Sequence, residues 1–268
     1  MMKTLFHIFL SVSFPCILAL YASAQDYRFV NNFAFERGEH LEYKVFWDAW
    51  ILPKMVAGTA TLQITEENKQ FDSRNTYHIV GVGSSSGMLA KFYTVSDRYE
   101  SYLDEQALIP WYFLRRTKEG SYVRNDDVEF DRKNKLAKGT YATRTVPDNV
   151  QDILSAVYYA RTLDFSSAQK GDVFPLDFFL DDSVYISQVV YQGKETIKSN
   201  RTSYRCLKFK PMVLVGPVFS EPYPMTVWVT DDSNRIPVRV ESKVLVGKIK
   251  VELQDFSGLA NPLTAKLD

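Results

Sequence analysis

The stretch Gly83-Ser84-Ser85-Ser86-Gly87 has the residue types of a G-x-S-x-G elbow, in which a sharp strand-to-helix turn presents a serine for nucleophilic attack. Such a serine needs a histidine base within hydrogen-bond reach and an acid behind it. The chain has three histidines, His7, His40 and His78, and all of them precede Ser85. The order serine, acid, histidine is therefore excluded, and any other triad must recruit His40 or His78 from strand positions. The composition of the segment fits a small Gly/Ser connection between strands.

Three adjacent carboxylate pairs are the next candidates: Asp126-Asp127, Asp181-Asp182 and Asp231-Asp232. Calcium takes oxygen ligands of this kind. Each pair is read as lying between strand runs, where aspartate is favoured because its side chain bonds the turn backbone. No Cys/His cluster, H-x-x-x-H or D-x-D-x-D loop accompanies them, so no metal site is expected. A glycosidase-like pair of carboxylates distant in sequence is an open alternative, but nothing selects two from 32 acids. No glycine-rich phosphate loop opens a helix, so no nucleotide cofactor is expected. Cys206, in SYRCLKF, reads as a small buried strand residue.

The elements that must carry these residues are mostly strands. Period-two alternation places Leu41, Tyr43, Val45 and Trp47 on one face, with Glu42 and Lys44 on the other. TATLQIT and KIKVEL repeat the pattern, as do runs near 76–83, 93–103, 109–117, 122–130, 174–180, 184–191, 203–210, 225–230 and 236–246. Aromatic residues make up 14% of the chain, which suits a sheet-rich fold. One segment breaks the pattern: Val150, Ile153, Leu154, Val157 and Tyr158 fall on one helical face. The spacing predicts a helix over about 148–163, capped by Asp148 with Gln151 three residues on. It divides the strands into two sets and is expected to cover an opening of the sheet, within a single domain spanning 25–268. DEQALIP (104–110) and DDSNRIP (231–237) share a first Asp, a sixth Ile and a seventh Pro, a turn chemistry used twice.

Two apolar stretches stand where polar loops are expected. FWDAWILPKMVAG puts Trp50, Ile51, Leu52 and Met55 near a hairpin tip, and PMVLVGPVFSEPYPM (211–225) is apolar and broken by proline. Either they cover an open end of the sheet or they rim a groove for a lipid, an acyl chain or a partner segment. On the second reading Trp50, Leu52, Val215 and Phe219 are the ligand-contact residues.

The first 24 residues read as a signal peptide: Lys3, an apolar run, then Ala22-Ser23-Ala24. Removing 24 of 268 residues leaves 244. Acylation at Cys16 is the lipoprotein alternative, disfavoured by the bulky Phe14-Pro15 before it. No later run is long enough for a transmembrane helix. The 32 basic and 32 acidic residues balance, so there is no electrostatic footprint for nucleic acid. The end LTAKLD lacks the terminal aromatic residue of an outer-membrane barrel.

The order GEHLEYKV, AGTATLQI, FYTVSDRYESYLD, LIPWYF, DILSAVYYAR, GKETI and VWVTDDSNRIPVRVE resembles the exported bacterial proteins grouped as domain of unknown function 3108, over about 38–256. The resemblance implies a periplasmic β-rich protein. It also implies likeness to a related group with a spiral, half-open β-roll linked to envelope integrity, and to carrier folds in which a curved sheet and a helix enclose an apolar cavity. It brings no catalytic residues. The expectation is an all-β, antiparallel spiral β-roll or half-open barrel of about a dozen strands with one helix. Its expected function is non-enzymatic: a periplasmic envelope protein that binds an apolar ligand or an envelope partner. A hydrolase of envelope glycan or lipid is the alternative.

Overall fold

Alternating side chains build the first half of the molecule as a run of antiparallel hairpins. In chain order these are β1 (His40–Ala49), β2 (Leu52–Ile64), the short β3 (Gln70–Phe71), β4 (Arg74–Ser85), a single helical turn α1 (Leu89–Phe92), β5 (Val95–Asp104), β6 (Pro110–Glu119), β7 (Tyr122–Asp131), β8 (Leu136–Lys138) and β9 (Thr143–Thr145). The helix α2 (Ile153–Ala160) follows. The second half comprises β10 (Val173–Pro175), β11 (Phe178–Leu180), β12 (Ser183–Tyr185), β13 (Gln188–Ser199), β14 (Thr202–Pro211), β15 (Met225–Thr230), β16 (Pro237–Lys243), β17 (Lys248–Ser257) and β18 (Lys266–Leu267). The computed structural model describes residues 27–49, 52–213, 215, 219–244 and 247–267. The segment read as a signal peptide, with Cys16, and the candidate Trp50 lie outside the described residues.

One antiparallel sheet contains almost all of these strands, in the order β10-β13-β14-β15-β16-β17-β1-β2-β4-β5-β6-β7-β8-β9. The two sets meet where β1 pairs with β17, with Leu41 opposite Phe256 and Val45 opposite Val251. The path does not close: its outermost members are the three-residue strands β9 and β10.

The helix packs on the N-terminal set. Leu154 and Tyr158 join Ile64, Ile79, Leu103 and Leu108 in one cluster. A second cluster sets Val146 and Val150 against Phe113, Val128, Phe130 and Phe179. Gly81 makes this approach possible, because a Cβ there would stand 3.1 Å from Leu154 Cδ2. Both ends of the helical segment are held by the two related turns. Gln151 Nε2 donates to the Leu108 carbonyl at 3.0 Å, and Arg161 Nε donates to the Asn234 carbonyl at 3.0 Å. Leu108 and Arg235 both take a positive φ, 47° and 49°, ahead of a buried isoleucine that is followed by proline.

The helix starts later than its sequence periodicity predicts. Asp152, not Asp148, is the N-cap: its Oδ1 accepts from the Leu154 and Ser155 amides at 2.8 Å each, and Ser155 Oγ accepts from the Asp152 amide at 2.7 Å. Residues 147–150 form a separate turn instead, closed by the Val150 amide on the Pro147 carbonyl at 3.2 Å. Gln151 bridges to Phe178, with the Phe179 amide donating to the Gln151 carbonyl at 2.7 Å, and Arg132 donates to the carbonyls of Asp148 and Val150.

Burial pushes the Asp152 carboxyl up to about 6, against the bonds from Ser101, Ser155 and Leu154 that favour its charged form. Because the folded-state value lies above the ordinary 3.8, the folded chain holds an extra proton between about pH 4 and 6. Its stabilising effect is complete below pH 4 and lost as pH rises through 6, a span worth about 3 kcal/mol. Urea unfolding of Asp152→Asn against the parent at pH 4 and pH 7 should show the parent losing stability across that window relative to the variant. A constant difference would reject the assignment.

Two further expectations are corrected. Asp126-Asp127 does not lie in a turn but inside β7, where Asp126 faces inward and pairs with Arg124 at 3.1 Å. Arg124 also meets Asp182 at 3.0 Å, a residue of the tight turn between β11 and β12. Arg124 thus serves a strand acid and a turn acid at once, and Arg115 pairs with the neighbouring Asp181 at 2.7 Å. The apolar material near the 47–55 hairpin tip is mostly strand among the described residues: Trp47 pairs with Met55 and Ala49 with Leu52 at the ends of β1 and β2.

Candidate functional site: an apolar cavity under the helix

The C-terminal set of strands curves past the helix without filling the space beside it. The outer face of α2 presents Ile153, Ala156, Val157 and Ala160 to a cavity of about 590 Å³. The opposite wall is the inner face of the sheet: Val189 from β13, Phe209 and Pro211 from β14, Met225, Val227 and Val229 from β15, and Pro237 and Val240 from β16. Period two delivers Met225, Val227 and Val229 to the same side. Phe178 and Leu180 of β11 form one flank. The volume falls within the range of about 300–1,000 Å³ typical of small-molecule sites. The helix thus plugs one set of strands and roofs the other.

Three polar residues interrupt this lining: Arg161, Ser187 and Arg235. Ser187 Oγ donates to the Met212 carbonyl at 2.9 Å. Arg161 is buried with Glu39, Nη1 and Nη2 lying 2.7 and 2.6 Å from the two carboxylate oxygens, and Nη2 also donates to the Ala34 carbonyl. Burial alone would lower the Arg161 pKa; the Glu39 carboxylate outweighs it and holds the guanidinium charged. Arg235 sits between the rings of Phe33 and Phe165, 4.8 and 5.1 Å from their centroids, and donates through Nη1 to the carbonyls of Arg161 and Leu163.

Of the residues expected to touch ligand, Phe219 stands in the cavity wall, as do Met212, Val213 and Met225 of the same proline-broken stretch. Val215 is 61% exposed and does not line the cavity. Leu52 enters β2 opposite Ala49, and Trp50 lies outside the described residues. Among the described residues none of 47–55 reaches the cavity. Sequence reading missed the sheet-face valines and the helix residues Ala156 and Ala160. The same alternation and helical periodicity that mark them as buried give no sign that the space they face is empty.

The chemical suspects are engaged elsewhere. Ser85 Oγ accepts from the Val95 amide at 2.9 Å. His78 lies 3.0 Å from Glu67 and 2.7 Å from Glu100, and His40 contacts Gln63 and Glu42. Asp232 organises its turn, with Oδ1 accepting from Thr230 Oγ1 and the Asn234 amide, while Asp231 pairs with Lys194 at 2.9 Å. Cys206 is buried, and burial pushes its thiol up to about 12, far from a reactive thiolate. Among the described residues no three metal-ligating side chains gather, and no helix is long and apolar enough to cross a membrane.

A large antiparallel sheet, curled around a helix yet unclosed, places the molecule among β-barrel-like proteins. The chain belongs to the DUF3108 family, described as a protein of unknown function, whose family pattern matches residues 42–254. Its fold is similar to that of a β-barrel-like protein of domain of unknown function DUF1849 from Brucella abortus, with a TM-score of 0.57 and 10% identity. That match covers 84% of this chain and 98% of the other. No curated protein matches the sequence.

Proposed function

We propose that this chain is a non-enzymatic protein of the bacterial periplasm that holds the apolar part of a lipid or acyl chain between α2 and strands β13–β16. The observation that carries the reading is the cavity itself: about 590 Å³ with an almost wholly aliphatic and aromatic wall. Apolar walls set this far apart lack the dispersion contacts that a packed core makes. A hydrocarbon chain restores them, and each methylene moved from water contributes about 0.8 kcal/mol. The signal-peptide pattern of residues 1–24 supports an exported location.

Native mass spectrometry of the mature chain, purified gently and followed by organic extraction, tests the binding. A co-purifying lipid is the expected result. A bare protein mass that also takes up neither hexadecanoate nor hexadecanol would overturn the reading. Fractionation tests the compartment: release by osmotic shock is expected, and retention in a salt-washed membrane pellet contradicts it.

A further inference from the structure

The two arginines in the cavity wall differ in one respect. Arg161 has a carboxylate partner in Glu39 at ion-pair distance. Arg235 has none among the described residues, although three acids lie near enough to act on it. Those acids are committed elsewhere: Asp231 to Lys194, Asp232 to its own turn and the Ala265 amide, and Asp164 to the Ser166 amide. Burial lowers the Arg235 pKa from its ordinary 12.5, and Asp164, Asp231 and Asp232 restore it only in part. An arginine in such a setting stays charged.

The guanidinium is also held in place. Nη1 is tied to the carbonyls of Arg161 and Leu163, and the rings of Phe33 and Phe165 pack on it. A fixed fork of this kind suits a carboxylate or phosphate oxygen pair, and its rotamer entropy is already spent.

Building on the proposed apolar-ligand reading, we infer that the ligand is an anionic single-chain amphiphile whose carboxylate or phosphate group pairs with Arg235 while its hydrocarbon tail lies along Val227, Val229 and Val240. The charge that the fold leaves uncompensated is supplied by the ligand. A neutral amphiphile with the same tail would fill the same space and leave Arg235 without a counter-ion.

The test is titration of the mature chain with hexadecanoate, hexadecyl phosphate and hexadecanol, followed by calorimetry. The parent should bind at least one anion about tenfold to a hundredfold more tightly than the alcohol. Arg235→Gln should abolish that preference while keeping hexadecanol affinity, which shows that the cavity survives. The two anions separate a carboxylate headgroup from a phosphate headgroup. Equal binding of anion and alcohol by the parent, or an undiminished preference in Arg235→Gln, overturns the inference and leaves the apolar-cavity reading standing. Failure of all three ligands on the parent overturns that underlying reading instead. Should Arg235→Gln lose every ligand, Arg235→Lys decides: a retained anion preference with unchanged alcohol binding supports the inference, and alcohol binding with no anion preference overturns it.

Discussion

Arg161→Met is expected to destabilise the protein by about 3–5 kcal/mol, the cost of leaving one member of a buried ion pair without its partner. Glu39 is fully buried and Arg161 nearly so, and the residues are 122 positions apart in the chain. The arginine also donates to the carbonyls of Asn234 and Ala34, so its loss removes one of the links between the helix end and the 230–237 turn and leaves those made by Arg235. Replacing both members, as Glu39→Leu with Arg161→Met, removes the desolvated charges together and should recover most of the loss. Urea unfolding of the four proteins in this cycle measures the coupling directly. A single variant within about 1 kcal/mol of the parent would mean that water reaches Glu39, contrary to its burial.

The second large effect is on binding. Val227 on β15 and Ala156 on α2 both line the cavity. Val227→Trp combined with Ala156→Phe directs aromatic bulk into the cavity of about 590 Å³ rather than into a filled core, so the usual cost of overpacking is reduced. The melting temperature should hold or rise, as for other cavity-filling changes. Hexadecanoate affinity should fall about a hundredfold, equivalent to the displacement of three or four methylenes from the cavity. Unchanged affinity would place the ligand elsewhere, and gross unfolding would show that the helix cannot accept bulk on this face. The comparison is informative because stability and binding are expected to move in opposite directions.

Much of the fold is legible in the residues because both regular patterns are strong where one face is buried. Phe113 and Val128 follow period two into the core, and Leu154 and Tyr158 follow the helical period onto it. The failures have local causes. β13 runs on to Ser199, but a bulge between Tyr191 and Gly193, with Gly193 at φ 96°, resets its alternation, so only its first residues read as strand. β1 and β2 carry register shifts at Val45/Phe46 and Trp47/Ala49, and their apolar ends looked like a loop. Asp148 and Asp152 are equivalent as caps by residue type; Arg132 and the Phe178 bridge, both remote in sequence, choose between them.

The candidate site was legible only at its margin. Phe219 was visible because apolar residues in a proline-broken segment are unusual. Val189, Val227 and Val240 were not, since a valine facing a void and a valine facing a packed core have the same periodicity. Arg235 was hidden within a turn motif, where its position reads as backbone chemistry and its side chain as solvent-facing.

The sheet's failure to close has a consequence for how copies of this chain meet. A long unpaired strand edge is a template on which another chain can add a strand. Here the end strands β9 and β10 are only three residues long, and β10 covers just Gln188, Val189 and Val190 of β13. β10 ends on Pro175, which has no amide hydrogen to offer, and β9 carries the charge of Arg144 between two exposed threonines. Beyond β10 the outer edge of β13 carries Lys194, Glu195 and Lys198, charges that oppose the addition of a further strand. The molecule can leave its sheet unclosed on one side without presenting itself as a seed for polymerisation.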